Sequence, residues 1–248
     1  HIALATARAR VNPLPTWLDD VEVSAGTWIL IRDLTELRDR DRQLVTKDAT
    51  IREIHHRVKN NLQTVAALLR LQSRRMSNSD AKDALKQAMG RVSAIAVVHE
   101  ILSQNFEEQV AFDEVADRIL HMVGDVAASS GSVVARREGS FGEVPAETAT
   151  ALSLATTELC QNAIEHSLDS SSGNVIVRSH RTDEALVVDI VSDGKPLPEG
   201  FSLDNHRSSL GLSIVTTLMQ DLGGTFTLED NSDRVGTCAR LVIPLQRL

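Results

Sequence analysis

The chain has 248 residues, 42% of them hydrophobic and 3% aromatic with no Tyr, and carries a formal net charge of −8. That length supports a core of one or two domains, while the acidic balance and the few stacking side chains argue against direct nucleic-acid binding. No apolar run approaches the roughly 20 residues of a membrane span, no signal peptide is evident, and Cys160 and Cys238 lack a close partner or metal-ligand spacing, so a cytoplasmic, reducing setting is expected.

Residues 1–26 contain Pro13, Pro15 and Gly26, which interrupt any period; the chain also opens without Met and is read as part of a longer protein. Thr27–Arg32 alternates and is rich in β-branched residues, so it predicts a strand, followed by Asp33-Leu34-Thr35-Glu36. From Thr35 to Met76 there is neither Gly nor Pro. Leu37, Leu44, Ile51, Val58 and Val65 recur every seventh residue, with Ile54, Leu62, Leu69 and Met76 at the second seam position. Such a period predicts a long supercoiled helix, and its mixed-charge stretch Arg38–Gln43 reads as a short coiled-coil linker. In this register His55 flanks the seam, whereas His56 faces solvent and shares its face with Asn60 one turn on.

The polar cluster Met76–Ser79 ends that helix, and Ser79 or Asp80 is placed to cap a second one. There Leu85, Ala88, Met89, Val92, Ile95, Ala96 and Leu102 repeat at helical spacing, and His99 lies near the apolar side as a packed, hydrogen-bonded residue. Two antiparallel helices cannot cover both of their seams, so pairing with a second copy into a four-helix bundle, a homodimer, is expected.

The pattern breaks at Gln104–Val110, which gives a domain boundary and a hinge. Asp113 is expected to cap a helix running through Val126, Gly131–Arg137 reads as a strand, and Pro145 precedes a helix over Ala146–Ser167. On that helix Glu158, Asn162 and His166 recur at intervals of four. A carboxylate and a carboxamide on one face can orient water and a hard cation bound to phosphates. Strands follow at Val175–Ser179 and Ala185–Val191, with a turn at Thr182–Glu184. After them come the loop Ser192–Phe201, a polar stretch Asp204–Ser209 suited to a lid, and a helix opening at Gly211-Leu212. Gly223-Gly224, a strand at Thr225–Leu228, Gly236-Thr237 and a strand over Ala239–Leu245 close the chain. The fold class expected is α+β: residues 1–34, a helical hairpin over 35–105, and an α/β sandwich over 106–248.

Several of these words resemble known families. His56-Arg57-Val58-Lys59-Asn60-Asn61-Leu62-Gln63 is similar to the phosphoacceptor box of HisKA_2 sensor histidine kinases, which implies that His56 takes a phosphoryl group and that Asn60 can orient water for the reverse reaction. Glu158-Leu159-Cys160-Gln161-Asn162-Ala163-Ile164-Glu165-His166 resembles the N-box of the GHKL (Bergerat) ATP-binding fold, implying Asn162 as the Mg²⁺ ligand and Glu158 as the acid one turn earlier. Ser192–Phe201 resembles the first glycine box, whose Asp reads the adenine amine. Alignment through Leu197–Phe201 puts Ser192 in that position and Asp193 one residue late; Asp193 is taken as the reader, with Gly194 beside it, because a carboxylate is the better acceptor. Ser209–Val215 resembles the second glycine box, with Ser209 in place of its first Gly and with Gly211 and Leu212 retained, and Gly236-Thr237 matches the last box. Another departure is Glu165, where many members carry Lys. The strand and Asp-Leu-Thr-Glu at 27–36 resemble the exit of a PAS sensor domain.

The resemblance implies a kinase that uses ATP and Mg²⁺, with His166 also at the nucleotide site. Its partner would be the receiver domain of a response regulator, one with an RNA-binding output among the options, and its input would come from N-terminal sensor domains outside this chain. Two rival readings stand beside it. One is a degenerate dimeric adaptor, suggested by Ser192, Ser209 and Glu165; the other is a serine kinase or ATPase, which would have no use for a phosphoacceptor helix.

Overall fold

The computed structural model describes residues 2–5, 30–33, 35–104, 109–128, 132–168, 172–203, 210–232 and 235–245. Two compact units, His1–Ile51 and Arg52–Leu248, divide the chain. In the first, β1 (Ile2–Ala5) pairs antiparallel with β2 (Leu30–Asp33), and α1 (Thr35–Arg75) begins there. The sequence announces β2 but not β1, whose four residues are too short for a periodic signal.

Within the second unit α1 runs on to Arg75 and is followed by α2 (Ser79–Gln104). Asn78, rather than Ser79 or Asp80, caps α2: its Oδ1 accepts from the backbone N–H of Asp80 at 2.8 Å and of Ala81 at 3.4 Å. The long heptad splits into two faces. His55, Val58, Lys59, Leu62, Ala66 and Leu69 are half-buried, whereas Ile51, Ile54, Val65, Leu68, Leu71 and Met76 stay exposed. Seven-residue spacing alone does not distinguish these two faces.

The remaining elements are β3 (Gln109–Ala111), α3 (Phe112–Ala128), β4 (Ser132–Glu138), β5 (Glu143–Pro145), α4 (Ala146–Asn162), β6 (Ser172–Arg181), β7 (Ala185–Ser192), α5 (Leu210–Asp221), β8 (Thr225–Asp230) and β9 (Thr237–Pro244). A five-stranded sheet runs in the order β4-β6-β7-β9-β8, parallel only between β4 and β6, and β3 pairs with β5 in a small second sheet. Alternate residues of the sheet are buried, among them Val175 and Val177, Leu186, Val188 and Ile190, and Leu241 and Ile243. This period of two points one face toward α3, α4 and α5. The other face carries charge pairs such as Arg240 to Asp189 at 2.7 Å. Two layers result, as the sequence predicted.

Pro145 precedes α4 as expected, with φ −56° and ψ 148° suited to a helix entry. Asp113 has a different role from the cap assigned to it. Its carboxylate accepts from the Ser140 hydroxyl at 2.6 Å and the Phe141 N–H at 2.8 Å, fastening the turn after β4 to α3. The last turns of α2 enter the same core: Val98, Ile101 and Leu102 are buried with Val110, Phe112, Phe141 and Leu152. Cys160 lies wholly inside, where burial pushes its thiol up to about 12, and Cys238 is half-buried. Residues 105–108, within the expected hinge, and the stretch 204–209 expected as a lid lie outside the described residues.

Candidate active site

Where α4 ends, the helix widens into a π-turn over Ala163–Ser167, closed by the Leu168 N–H donating to the Ala163 carbonyl at 3.0 Å. Such widened turns recur at functional sites because they re-aim side chains. Here the turn borders a cavity of about 530 Å³ lined by Leu159, Asn162, Ala163, His166, Ile190, Lys195, Pro196, Leu197, Pro198, Phe201, Leu212, Leu228, Thr237 and Ala239. Its walls are aliphatic apart from Phe201, with a few polar groups at Asn162, His166, Lys195 and Thr237. That is the makeup of a small-molecule site.

Asn162 carries an unmet demand. Its Nδ2 is buried and has no hydrogen-bond partner among the described residues, a costly state that a ligand acceptor would relieve. Gly211, at the first turn of α5, lies directly above. A Cβ there would stand 2.7 Å from Glu158 Oε2 and 3.6 Å from Asn162 Nδ2, so only Gly lets the start of α5 approach these side chains.

The four-residue stripe predicted from the sequence divides. Asn162 and His166 line the cavity, whereas Glu158, only 3% exposed, is turned to α2. There Arg91 donates to it through two bonds, Nε to Oε1 at 2.7 Å and Nη2 to Oε2 at 2.9 Å. This pair holds the Arg91 guanidinium above its usual range. Glu165 points out of the cavity and accepts from Gln87 Nε2 at 3.2 Å, so it does not set a negative charge against the cavity contents. Arg91 was missed in the sequence because it reads there as an ordinary helix cation. Gly90 was the available signal: a glycine inside a helix marks close approach, and a Cβ there would lie 2.5 Å from Gln161 Nε2 of α4.

Leu212 and Thr237 also line the cavity, while Asp193, Gly194, Gly211 and Gly236 do not. Asp193 is engaged elsewhere. Its carboxylate accepts from the Asn174 backbone N–H at 2.7 Å and from Asn174 Nδ2 at 2.5 Å, which turns it toward β6 and away from the cavity. Ser192, fully buried, shares a 2.9 Å hydrogen bond with the Thr237 hydroxyl, and Gly236 backs onto the Ser192 carbonyl. Ser192 and Thr237 form the polar pair of this corner.

On α1, His56 and Asn60 are both exposed. His55 is half-buried, its Nδ1 lying 2.9 Å from His99 Nδ1 of α2 with ring centroids 5.2 Å apart. Burial lowers the affinity of both rings for a second proton, and each is lowered further by a neighbouring imidazole, His56 for His55 and His55 for His99. One turn on, Lys59 pairs with Glu100 at 3.7 Å.

Residues 53–127 match the family of histidine kinases described as HisKA_2, and residues 147–247 match the histidine kinase-, DNA gyrase B- and HSP90-like ATPases. The chain belongs to the HisKA_2 histidine kinases, built as a helical region followed by a GHKL α/β domain. Among proteins it is similar to is the sensor histidine kinase PdtaS of Mycobacterium tuberculosis, 50% identical over 227 residues that make up 90% of this chain and 45% of that protein. PdtaS of Mycolicibacterium smegmatis is 48% identical over the same shares. The chain spans about half the length of these curated relatives. Among solved structures, the histidine kinase domain of the blue-light activated kinase EL346 of Erythrobacter litoralis is 27% identical, with a TM-score of 0.58 over 84% of this chain and 94% of that one. No helix among the described residues is long and apolar enough to cross a membrane.

Proposed function

We propose that this chain is the core of a sensor histidine kinase that binds ATP with Mg²⁺, transfers the γ-phosphoryl group to His56, and passes it to an aspartate of a response regulator. The observation that carries this reading is the buried, unpartnered Asn162 Nδ2 at a cavity of about 530 Å³, in a chain that also exposes His56 on a HisKA_2 helix. A nucleotide suits that cavity. Leu159, Ile190, Phe201, Leu228 and Ala239 accept the base, and the Thr237 hydroxyl, coupled to Ser192, takes the place of a carboxylate in reading the adenine amine. The N–H groups opening α5 at Gly211 and Leu212 suit the phosphates, and Lys195 supplies positive charge where Glu165 cannot.

Asn162 would hold the metal through its side-chain oxygen, and Mg²⁺ when bound neutralises charge on the phosphates. Transfer then depends on positioning: His56 offers an exposed ring nitrogen, and Asn60 on the same face orients water for hydrolysis of the phosphohistidine. Aliphatic residues exposed along α1, at Ile54, Val65, Leu68 and Leu71, support a second copy as their cover. The dimer's bundle would dock the receiver domain, with sensor domains N-terminal to it relaying their signal through the coiled-coil linker.

The position of Asp193 favours a second reading, a dimeric adaptor that binds nucleotide without transferring phosphate. Incubation with γ-labelled ATP and Mg²⁺ separates the two. A kinase acquires label that is lost in acid and stable in base; a chain that binds ATP and stays unlabelled is the adaptor.

A further inference from the structure

The phosphoacceptor helix carries aliphatic residues on more than one face. Val58, Leu62 and Leu69 are half-buried on the side of His55 and Lys59, whose partners are on α2, while Ile54, Val65 and Leu68 are exposed. Successive residues of an α-helix are 100° apart, so apolar packing alone would also accept α1 turned to present the outward stripe to α2. Such a turn would carry His56 with it. Directional contacts discriminate where greasy ones do not, and two occur here: His55 Nδ1 to His99 Nδ1 at 2.9 Å, and Lys59 to Glu100 at 3.7 Å, with Glu100 also 3.5 Å from Arg118 of α3. The ion pair is long and rides on a flexible side chain. The imidazole pair is short, and its rigid rings are half-buried.

We propose that His99 is a positioning residue for phosphorylation: by bonding His55 it fixes the rotation of α1 and thereby the direction in which the adjacent, exposed His56 points. Two Nδ1 atoms at this distance require one N–H and one lone pair, so the bond survives with both rings neutral or with one protonated, and fails when both are protonated. The titratable and charged groups on the elements packed here are His56 and Lys59 on α1, Glu100 on α2 and Arg118 on α3, the last three joined through Glu100; burial and the adjacent imidazoles oppose that second protonation. The device therefore holds near neutral pH and lets go below the ordinary imidazole range.

This inference rests on the kinase reading, and its test has an arm that does not. In the full chain, His99→Asn keeps a non-titrating hydrogen-bonding group at the Nδ1 position, and His99→Phe keeps a ring without the bond. Carbethoxylation with diethyl pyrocarbonate at neutral pH, mapped by mass spectrometry, should modify His56 well ahead of His55 in the native chain and in His99→Asn. In His99→Phe the two rates should converge. For labelling by ATP, His99→Phe should lose about 10- to 100-fold in rate, the scale of a misaimed reactant, with the KM for ATP unchanged. His99→Asn should label at the native rate at pH 7.5, with an acid limb about one proton shallower than the native one. Unchanged modification rates in His99→Phe overturn the proposal, as does a rise in KM that accounts for its loss of labelling. If the native chain takes no label, the kinase reading falls and the modification pattern still decides the role of His99.

Discussion

Arg91→Ala removes the cation from a carboxylate that is only 3% exposed and receives both of its hydrogen bonds from that guanidinium. Breaking a buried ion pair from one side costs about 3–5 kcal/mol, because the partner is stranded. The Arg91 side chain keeps 18% of its surface in water, so the low end, about 3 kcal/mol, applies. The chain could evade this by lifting α2 from α4 and hydrating Glu158. Lifting would also expose Val98, Ile101 and Leu102, each contributing about 1.5–3 kcal/mol through burial, so it costs more than it recovers. The loss should therefore read out as global stability, moving the urea midpoint down by about 1.5 M if the slope is near 2 kcal/mol/M. Adding Glu158→Gln removes the stranded charge, and about 2 kcal/mol should return in the double variant. An Arg91→Ala chain within about 0.5 kcal/mol of native, or a double variant whose losses simply add, would refute this account of the α2–α4 contact.

Two further outcomes follow from the same geometry. Asn162→Ala removes the buried Nδ2 that has no partner among the described residues and should weaken Mg·ATP binding by at least about tenfold while leaving thermal unfolding within a few degrees of native; calorimetry showing native affinity would detach Asn162 from the site. Leu68→Glu puts a charge on the exposed stripe of α1. It should shift light scattering from dimer toward monomer without loss of helicity, and a native chain that is monomeric at micromolar concentration would leave the stripe without its proposed cover.

Sequence periodicity carried the layers and the order of elements, because periods of seven and of two report which faces are buried. It could not say which heptad positions are covered: Ile54 and Leu62 look alike in sequence, yet Leu62 is half-buried and Ile54 is exposed. Spacing of four placed Asn162 and His166 on the cavity, but the long-range partner Arg91 took Glu158 out of that group, and a partner on another helix is not a local property. At the first glycine box, the chemical preference for a carboxylate chose Asp193. The pairing of β6 with β7 brings Asn174 against it, a partner that local sequence does not announce. His99, read as a packed and hydrogen-bonded residue, is found so; its partner is the imidazole next to the proposed phosphoacceptor.

The central claim is that phosphate arrives on His56. The most direct measurement is site mapping of the phosphoryl group, under conditions that preserve phosphohistidine, in the native chain and in His56→Gln and His55→Gln after incubation with Mg·ATP. The account predicts phosphate on His56 in the native chain, none in His56→Gln, and retained though slower labelling in His55→Gln, because His55 holds the helix and His56 faces solvent. Phosphate found on His55, or full labelling of His56→Gln, would contradict it.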